Sequence, residues 1–271
     1  MTAAAAGARG SNPGGIGAAF DWRLERHEEL ASTSDTCIEA ARAGAPAGLA
    51  VLARRQTAAR GSLGRAWTSI PGNLLLSVLL RPARPAPEAA RFALLAGVAL
   101  AEALSPLLPV PAALTLKWPN DVLLAGHKLA GILVDSAATP GGAIDWLVIG
   151  IGVNLAAAPD LPDRPATALA AHLPQALVPT PEAFAETLLA RLADWCETEA
   201  RHGFAPVRAA WLRRAAPLGA AIGFRPSGAA APVAGHFAGL DADGALLIAD
   251  EQGQPRRFAS GEVLSPEAVW S

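Results

Sequence analysis

The sequence predicts an α+β protein, with a β-sheet packed by helices and a small antiparallel β barrel after it. Two apolar runs, Asn73–Leu80 (NLLLSVLL) and Trp146–Leu155 (WLVIGIGVNL), are typical of strands. The second is nearly continuous, which favours burial on both faces. Long helices are predicted at Glu88–Leu104 and Glu182–His202. After Pro217 the helical period disappears, and about fifty residues of short apolar runs separated by turns indicate the barrel.

Local signals justify the elements of the first half in order. Asp21–Leu30 begins the fold, and the N-cap candidates in Ser32–Asp35 precede a helix at Cys37–Arg42. Arg54–Thr68 is polar and contains glycine, so it is predicted to be a loop. Short apolar runs predict four strands, at Leu49–Ala53, Leu114–Trp118, Val122–Leu124 and Leu129–Asp135, the last after a hairpin turn at Ala125–His127.

The second half continues with a Pro-rich connection, Pro159–Pro181, and a shorter helix, Val207–Arg214. The barrel strands are predicted at Ala221–Phe224, Val233–Leu240, Ala245–Ala249 and Arg257–Phe258. These elements divide the chain into an Ala/Gly-rich disordered tail (1–19), a main domain (20–217) and a small β domain (218–271).

Composition excludes several classes of protein. The net charge of −2 does not supply the positive field that backbone-driven nucleic-acid binding needs. The longest apolar candidate, Phe92–Leu104, is shorter than the roughly 20 residues of a membrane span and contains Glu102, so it is interpreted as a buried helix. Cys37 and Cys196 lack metal-ligand spacing and are expected to be buried free thiols. No secretory signal is recognised, so a cytoplasmic location is expected.

Lysine is the most informative residue type. The chain has twenty arginines but only two lysines, Lys117 and Lys128, and both fall in KWPNDVLLAGHKLAGILVD (117–135). Lysine is a compact point charge, whereas arginine is a planar fork, so the two are not interchangeable. Three of the four asparagines also fall in sharply defined patterns, PGN, WPND and GIGVN. Together these residues indicate a site, although chance under the Ala/Arg bias explains any one of them.

Three segments carry candidate chemistry. In the loop Gln56–Ser69, two arginines and two glycines suit an anion, because glycine lets backbone amides approach and arginine donates in pairs. A solvated surface loop is the equal alternative. In KWPNDVLLAGHK, Asp121 and Lys128 lie on the two arms of a predicted hairpin, as a pocket pair or as a structural salt bridge. In Gly150–Asn154, the glycines indicate close approach of a ligand or simply tight packing.

Other catalytic patterns are missing from the sequence. The five histidines have no metal spacing, and neither a GxSxG elbow nor a Cys/His pair is present. Hydrolase and protease functions are therefore not favoured.

Taken together, the three segments resemble the biotin protein ligase family. The family's GRGRxGRxW loop, KWPND with K-x-x-GIL, and GIGxN appear here in the same order as ARGSLGRAW, KWPND with KLAGIL, and GIGVN. Ser32-Thr33-Ser34 is similar to the family's Ser-Thr-Asn, and the last fifty residues resemble its small SH3-like C-terminal domain. The resemblance implies a mixed sheet like that of class II tRNA-synthetase-related ligases. A DNA-binding domain is not recognised before residue 20, so the chain resembles the monofunctional type.

The resemblance also implies the activity. Biotin would react with ATP to give biotinyl-5′-AMP, and a lysine of the biotin carboxyl carrier protein of acetyl-CoA carboxylase would then accept the biotin. Mg²⁺ is expected with ATP, although its ligands are not identified. No DNA and no membrane partner is expected, and monomer and homodimer are both open.

Site residues follow from the matched motifs, position by position. The resemblance implies that Ser32, Thr33, Ser34 and Gln56 bind the biotin head and that Gly131 and Ile132 line its pocket. It implies that Arg60, Gly61 and Ser62 close over the carboxyl and phosphate groups, that Arg65 reaches the triphosphate, and that Trp67, Gly152 and Asn154 hold the adenylate side. Lys128 would lie at the reacting groups, and Asp121 would orient the incoming lysine. Lys128, Arg60 and Asp121 are therefore the predicted catalytic residues.

This chain departs from the family's pattern in its loop. Ala59 replaces the first glycine, and Ser62 and Leu63 replace the residues that follow the second. Pro266 occupies the region where some members have an arginine. Because Ser62 replaces an arginine, the affinity of the loop for the adenylate phosphate is expected to differ from that of the family.

Two alternatives are retained. A lipoate-type ligase of the same superfamily is disfavoured because its SGGGxxxHD pattern is missing from the sequence. A non-catalytic nucleic-acid-binding protein is disfavoured by the net charge and by the lack of aromatic stacking residues in the barrel.

Overall fold

A seven-stranded mixed sheet forms the centre of the main domain in the computed structural model, which describes residues 21–110, 113–160, 165–229 and 231–264. Its strands are β1 Arg23–Leu30, β2 Leu49–Gln56, β3 Leu74–Leu80, β4 Leu114–Lys117, β5 Asp121–Leu124, β6 His127–Ala138 and β7 Ile144–Val153. The spatial order is β1-β2-β3-β7-β6-β5-β4. Strands β1 and β2 pair in parallel and the other neighbours are antiparallel, which confirms the mixed sheet.

Helices cover both faces of this sheet. They are α1 Thr33–Arg42, α2 Arg91–Leu104, α3 Pro181–His202 and α4 Ala205–Leu212. Helices α2, α3 and α4 contribute to a large apolar core with one face of the sheet, while α1 packs on the other face around Cys37 and Val148. Because side chains alternate along a strand, Ile149, Ile151 and Val153 of β7 point into the large core. Gly150 and Gly152 therefore belong to the face that carries α1.

Helix α1 begins at Thr33, four residues before the predicted start. Ser32 has an extended backbone, with φ −157° and ψ 130°, and its hydroxyl accepts a hydrogen bond from the Asp35 backbone N–H at 3.3 Å. That capping bond satisfies one of the free N–H groups of the first turn. The longer helix places Ser32, Thr33 and Ser34 over the sheet, where all three are buried.

Strand β1 was predicted only as the beginning of the fold. Its sequence, RLERHEEL, alternates charges rather than apolar residues because it lies at the sheet edge. Glu28 and Glu29 form ion pairs with Arg54 and Arg55 of the neighbouring strand. Charged residues on an edge strand also discourage pairing with another chain.

The apolar stretch at Ala86–Leu107 is the buried helix that the sequence predicts. By length and composition it resembles a membrane span, with a mean hydropathy of 1.4 in its most apolar window. Twelve of the fourteen residues of α2 are buried within the protein core, which explains that composition.

A five-stranded antiparallel sheet follows in the last part of the chain. Its strands are β8 Ala221–Pro226, β9 Val233–Leu240, β10 Leu246–Ala249, β11 Pro255–Phe258 and β12 Gly261–Leu264, in the order β11-β10-β9-β8-β12. Four of them match the predicted barrel strands, whereas β12 was not predicted. The predicted tail at residues 1–19 and Pro266 lie outside the described residues.

The small sheet packs directly on the main domain. The Trp118 indole Nε1 donates a hydrogen bond to the Gly244 carbonyl at 3.0 Å, and its ring lies edge-on to Phe224 at 5.9 Å. Arg208 of α4 donates to the Leu240 carbonyl. The small sheet therefore contacts the KWPND segment through Trp118 and helps to fix its position.

The two cysteines generate a prediction. Cys37 and Cys196 are free and buried, and burial raises the pKa of each thiol to about 12. Because the thiolate is the reactive form, we expect neither to react with a disulfide reagent at about pH 8 in the native protein. Both should react after unfolding in guanidinium. The rate of labelling is monitored by spectrophotometry. Rapid labelling of either thiol in the native protein would contradict its buried position.

Candidate active site

A cavity of ≈ 130 Å³ lies on the sheet face that carries α1. The N-terminus of α1, the loop after β2, and strands β3, β6 and β7 surround it. All fourteen residues that the sequence assigns to ligand binding line this one cavity: Ser32, Thr33, Ser34, Gln56, Arg60, Gly61, Ser62, Arg65, Trp67, Lys128, Gly131, Ile132, Gly152 and Asn154. Asp121 does not line it but contacts Lys128.

Two glycines form the floor beneath the Trp67 ring. Gly131 of β6 and Gly152 of β7 are register partners on adjacent strands. A Cβ on Gly152 would lie 2.5 Å from the Trp67 ring, and one on Gly131 would lie 3.0 Å from it. The close approach that the GIGVN segment predicts is therefore the approach of an indole to the bare sheet.

The Trp67 indole also presents an unused donor. Its Nε1 is buried and has no hydrogen-bond partner within the described part of the chain. Buried N–H groups are nearly always paired, so an unpaired one in a cavity indicates a ligand acceptor. Lys128 Nζ lies 5.7 Å from the ring centroid, within the range of a cation–π contact.

A hydroxyl cluster forms one end of the cavity. The Thr33 backbone N–H donates to Gln56 Oε1 at 2.6 Å, and Thr33 Oγ1 lies 3.2 Å from the same oxygen. Ser77 of β3 contacts Thr33 Oγ1 at 2.7 Å and Ser34 Oγ at 3.0 Å. A Cβ on Gly150 would lie 2.5 Å from Ser34 Oγ, so that glycine leaves the room into which α1 inserts its first turn.

Two carboxylates, Asp135 of β6 and Asp35 of α1, hold Arg60 of the loop after β2. Its guanidinium donates to both oxygens of Asp135, at 2.9 and 3.3 Å, and lies 3.0 Å from Asp35. The hydrogen bonds to Asp135, together with the charges of Asp135 and Asp35, raise the pKa of Arg60 above its ordinary value. These contacts fix the loop to α1 and to β6.

The small sheet supplies a partner for Arg65. Arg65 Nη1 donates to Glu262 Oε1 of β12 at 2.9 Å, and Arg65 Nη2 lies 3.4 Å from Ser62 Oγ. Next to Glu262, the Val263 carbonyl accepts a hydrogen bond from Lys117 Nζ at 3.2 Å. Strand β12 therefore contacts both the loop after β2 and the KWPND segment.

The predicted hairpin is confirmed between β5 and β6, which pair in antiparallel fashion. Ala125 and Gly126 form its turn, with φ of 51° and 82°. The hairpin brings Lys128 Nζ to 2.5 Å from Asp121 Oδ1. The two groups form a close ion pair, but their angles do not fit a hydrogen bond. Asp121 Oδ2 also lies 3.8 Å from Lys117, so one carboxylate serves both lysines of the chain.

Asn154 is buried and both ends of its amide have protein partners. Nδ2 donates to the Thr167 carbonyl at 3.1 Å, and Oδ1 accepts from Asn73 Nδ2 at 3.3 Å. Asn73 Oδ1 in turn accepts from the backbone N–H groups of Ala156 and Ala157. In this structure Asn154 and Asn73 shape the chain that leaves β7.

Sequence reasoning missed four polar residues of the site. Asp35, Asp135 and Glu262 pair with loop arginines across long stretches of sequence, so no local pattern reveals them. Ser77 offered a signal, because it is the only polar residue inside the apolar strand Leu74–Leu80.

A metal site built from protein groups alone is not found in the described residues, which contain no group of three or more His, Cys, Asp or Glu suited to an ion. The cavity instead combines a hydroxyl and amide end, an aromatic wall and three cations, Arg60, Arg65 and Lys128. This arrangement suits an elongated ligand with a small polar head and an anionic portion.

Comparison with known proteins gives consistent matches. Residues 30–154 match the Biotin/lipoate A/B protein ligase family, and residues 230–264 match the Biotin protein ligase C terminal domain. A biotin–[acetyl-CoA-carboxylase] ligase of Paracoccus denitrificans is 39% identical over 232 residues, covering 83% of this chain and 95% of the relative. The bifunctional ligase/repressor of Bacillus subtilis is 33% identical, covering 86% and 71% respectively.

Solved structures agree with the sequence matches. The biotin protein ligase of Aquifex aeolicus in complex with biotin and ATP aligns with a TM-score of 0.73 and 26% identity, over 89% of this chain and 97% of that one. The Leishmania major enzyme in complex with biotinyl-5-AMP aligns with a TM-score of 0.61 and 28% identity, over 88% and 98%. Because it is 39% identical to the Paracoccus denitrificans ligase over 95% of that protein, and matches the two family models, this chain belongs to the biotin protein ligase family.

Proposed function

We propose that this protein attaches biotin to a lysine of the biotin carboxyl carrier protein of acetyl-CoA carboxylase in two ATP-dependent steps. In the first, a biotin carboxylate oxygen bonds to the α-phosphorus of ATP and pyrophosphate leaves. In the second, the lysine amine attacks the carbonyl of biotinyl-5′-AMP, loses a proton, and AMP leaves. We expect the enzyme to act in the cytoplasm.

One observation carries the proposal: the three motifs, far apart in sequence, converge on a single cavity. That cavity has a polar end for a small head group and cations where a carboxylate and phosphates would meet. The Paracoccus denitrificans relative, which aligns over nearly all of its length, is a biotin–[acetyl-CoA-carboxylase] ligase.

For the first step, the cluster of Ser32, Thr33 and Gln56 would receive the biotin ring, and Lys128 would lie beside the reacting oxygen and phosphorus. Its ammonium neutralises charge that builds on the phosphate as the bond forms. The unpaired Trp67 Nε1 and its ring suit the adenylate side. Arg65 would exchange Glu262 for the triphosphate.

For the second step, Asp121 is the proposed orienting group for the incoming lysine. Its carboxylate already holds the ammonium of Lys128 at 2.5 Å and lies near that of Lys117. Asp121 does not line the cavity, so it would orient the incoming amine from beside Lys128, where it already contacts two ammonium groups.

Within the described residues, protein groups do not by themselves form a Mg²⁺ site. Mg²⁺ usually keeps several waters and binds substrate phosphates, so we expect it to enter with ATP. The steps above therefore use only protein groups.

The alternatives are not favoured. The match over residues 30–154 includes lipoate ligases, but the match over residues 230–264 and the relatives named above are specific to biotin ligases. Neither the cavity nor the relatives support a non-catalytic nucleic-acid-binding protein.

The first prediction is the activity itself. Purified protein with biotin, Mg-ATP and a carrier domain from the same source should add one biotin to one lysine and release pyrophosphate. Intact-mass spectrometry of the carrier domain measures the addition. An unchanged carrier mass, with a known ligase modifying the same carrier in parallel, would rule the proposal out.

The second prediction concerns Lys128. Lys128→Arg should fold but lose most adenylation, because a planar fork does not fit a point-charge site between Asp121 and Trp67. Loss of one oriented charge at such a centre typically costs about 2.7–4 kcal/mol of barrier, or roughly 10²–10³ in rate. Biotin-dependent ATP–pyrophosphate exchange provides the measurement.

Lys117→Arg is the matched control, since Lys117 does not line the cavity and should show a much smaller loss. Near-normal exchange in Lys128→Arg, or equal losses in the two variants, would make Lys128 a structural residue.

The third prediction concerns Ser62, where family members carry an arginine. Ser62 lines the cavity near Arg65, and Arg60 and Arg65 already have carboxylate partners. A charge-assisted hydrogen bond is roughly twice as strong as a neutral one, so Ser62→Arg should slow release of biotinyl-5′-AMP about fivefold. The release rate is measured in the absence of carrier protein.

Ser62→Gln provides the control, because it adds length without charge and should leave the release rate near that of the wild type. If Ser62→Arg releases the adenylate as fast as wild type or faster, Ser62 lies away from the phosphate.

A further inference from the structure

Ser77 is a buried polar residue that the reaction described above does not use. It lies in the middle of β3, opposite Gly150 of β7, and is 0% exposed. Among the described residues its hydroxyl hydrogen-bonds with the hydroxyls of Thr33 and Ser34, both in the first turn of α1. Burying a hydroxyl costs free energy unless hydrogen bonds compensate, and here both compensating bonds go to residues of α1 that line the cavity.

The orientation of the Gln56 amide is fixed first. The Thr33 backbone N–H is a donor only, and it faces Gln56 Oε1 at 2.6 Å. The oxygen of the amide therefore points to α1, and Nε2 points away from it. Gln56 lines the cavity, and Nε2 has no hydrogen-bond partner among the described residues.

The direction of the hydroxyl protons follows from the acceptors that are present. If Thr33 donated to Ser77, and Ser77 to Ser34, the Ser34 proton would have no acceptor among the described residues. In the reverse direction, Ser34 donates to Ser77, Ser77 to Thr33, and Thr33 to Gln56 Oε1. Every hydroxyl proton then has an acceptor, which favours this direction because unpaired buried donors are costly.

We propose that Ser77 is a positioning residue that sets this direction, so that the Thr33 oxygen accepts and the Gln56 amide donates towards the bound ligand. A urea ring presents the complementary pattern, a carbonyl acceptor beside N–H donors. The proposal rests on the proposed function, which supplies biotin, a ring urea, as the ligand. Ser77 lies among the residues that line the cavity but is 0% exposed, so it is proposed to act through Thr33 and Gln56.

The test measures biotin affinity directly, by titration calorimetry of the full chain. Ser77→Ala removes a donor to Thr33 and the acceptor of Ser34, and should raise the Kd for biotin about five- to tenfold. Ser77→Cys, which is nearly isosteric and a weak donor, should fall between wild type and Ala. ATP–pyrophosphate exchange at saturating biotin, and the KM for ATP, should stay within about twofold of wild type.

Desthiobiotin separates this effect from a direct contact with the ligand's sulfur, because it keeps the ring urea and lacks the thioether. Ser77→Ala should weaken biotin and desthiobiotin by the same factor. A loss confined to biotin overturns the proposal in favour of contact with sulfur.

A double-mutant cycle with Thr33→Val tests the route of the effect. Val keeps the shape of Thr and removes the hydroxyl that receives the Ser77 proton. In that background, Ser77→Ala should add little further loss, whereas an additive loss overturns the relay.

Ser105→Ala is the control for losing a partly buried hydroxyl elsewhere, since Ser105 bonds the Ala101 carbonyl and does not line the cavity. It should leave biotin affinity unchanged. If Ser77→Ala and Ser77→Cys both lose affinity for biotin and for ATP by similar factors, and both also unfold at a lower temperature, Ser77 has a structural role and the proposal is overturned. A wild-type protein that binds no biotin overturns it as well. A protein that binds biotin normally but modifies no carrier refutes the proposed reaction alone.

Discussion

The cavity depends on the absence of side chains from one face of two adjacent strands. Between Ile149, Ile151 and Val153 of β7 stand two glycines, Gly150 and Gly152, so this end of the strand is packed on one face and carries no side chain on the other. The first turn of α1 fills part of that bare face at Gly150, and the Trp67 ring covers Gly152. A methyl group at either position would collide with a neighbour at about 2.5 Å, so these glycines allow the observed positions of the helix and the loop.

Ion pairs of modest strength hold the loop against this floor. Arg60 joins it to Asp35 and Asp135, and Arg65 joins it to Glu262. These side chains are a quarter to a half exposed, and exposed pairs typically contribute only about 0.2–1 kcal/mol each. A loop held in this way has a defined position, and its ion pairs are weak enough that the guanidinium groups can exchange their carboxylate partners for another anion.

Sequence reasoning succeeded where the signal is local and failed where it depends on packing. Buried strands such as β3 and β7 are recognisable as apolar runs in the sequence. The motif residues come together in one cavity, as the resemblance implies. Strand β1 was not recognised because an edge strand carries paired charges in place of alternating apolar residues. Strand β12 is four residues long and half-buried, and its partner Arg65 lies 197 residues earlier, so no window of sequence contains the pair.

The long sequence separation between Arg65 and Glu262 affects the order in which the site forms during synthesis. The main sheet and its glycine floor are complete once β7 and the helices after it have formed, and chains tend to fold from the N-terminal side during synthesis. Arg65, however, obtains its carboxylate partner only when Glu262 has emerged and β12 has paired with β8. During the last part of translation, a nascent chain that folds in this order has a formed cavity in which Arg65 still lacks its carboxylate partner, and β12, the last of the described strands, supplies that partner.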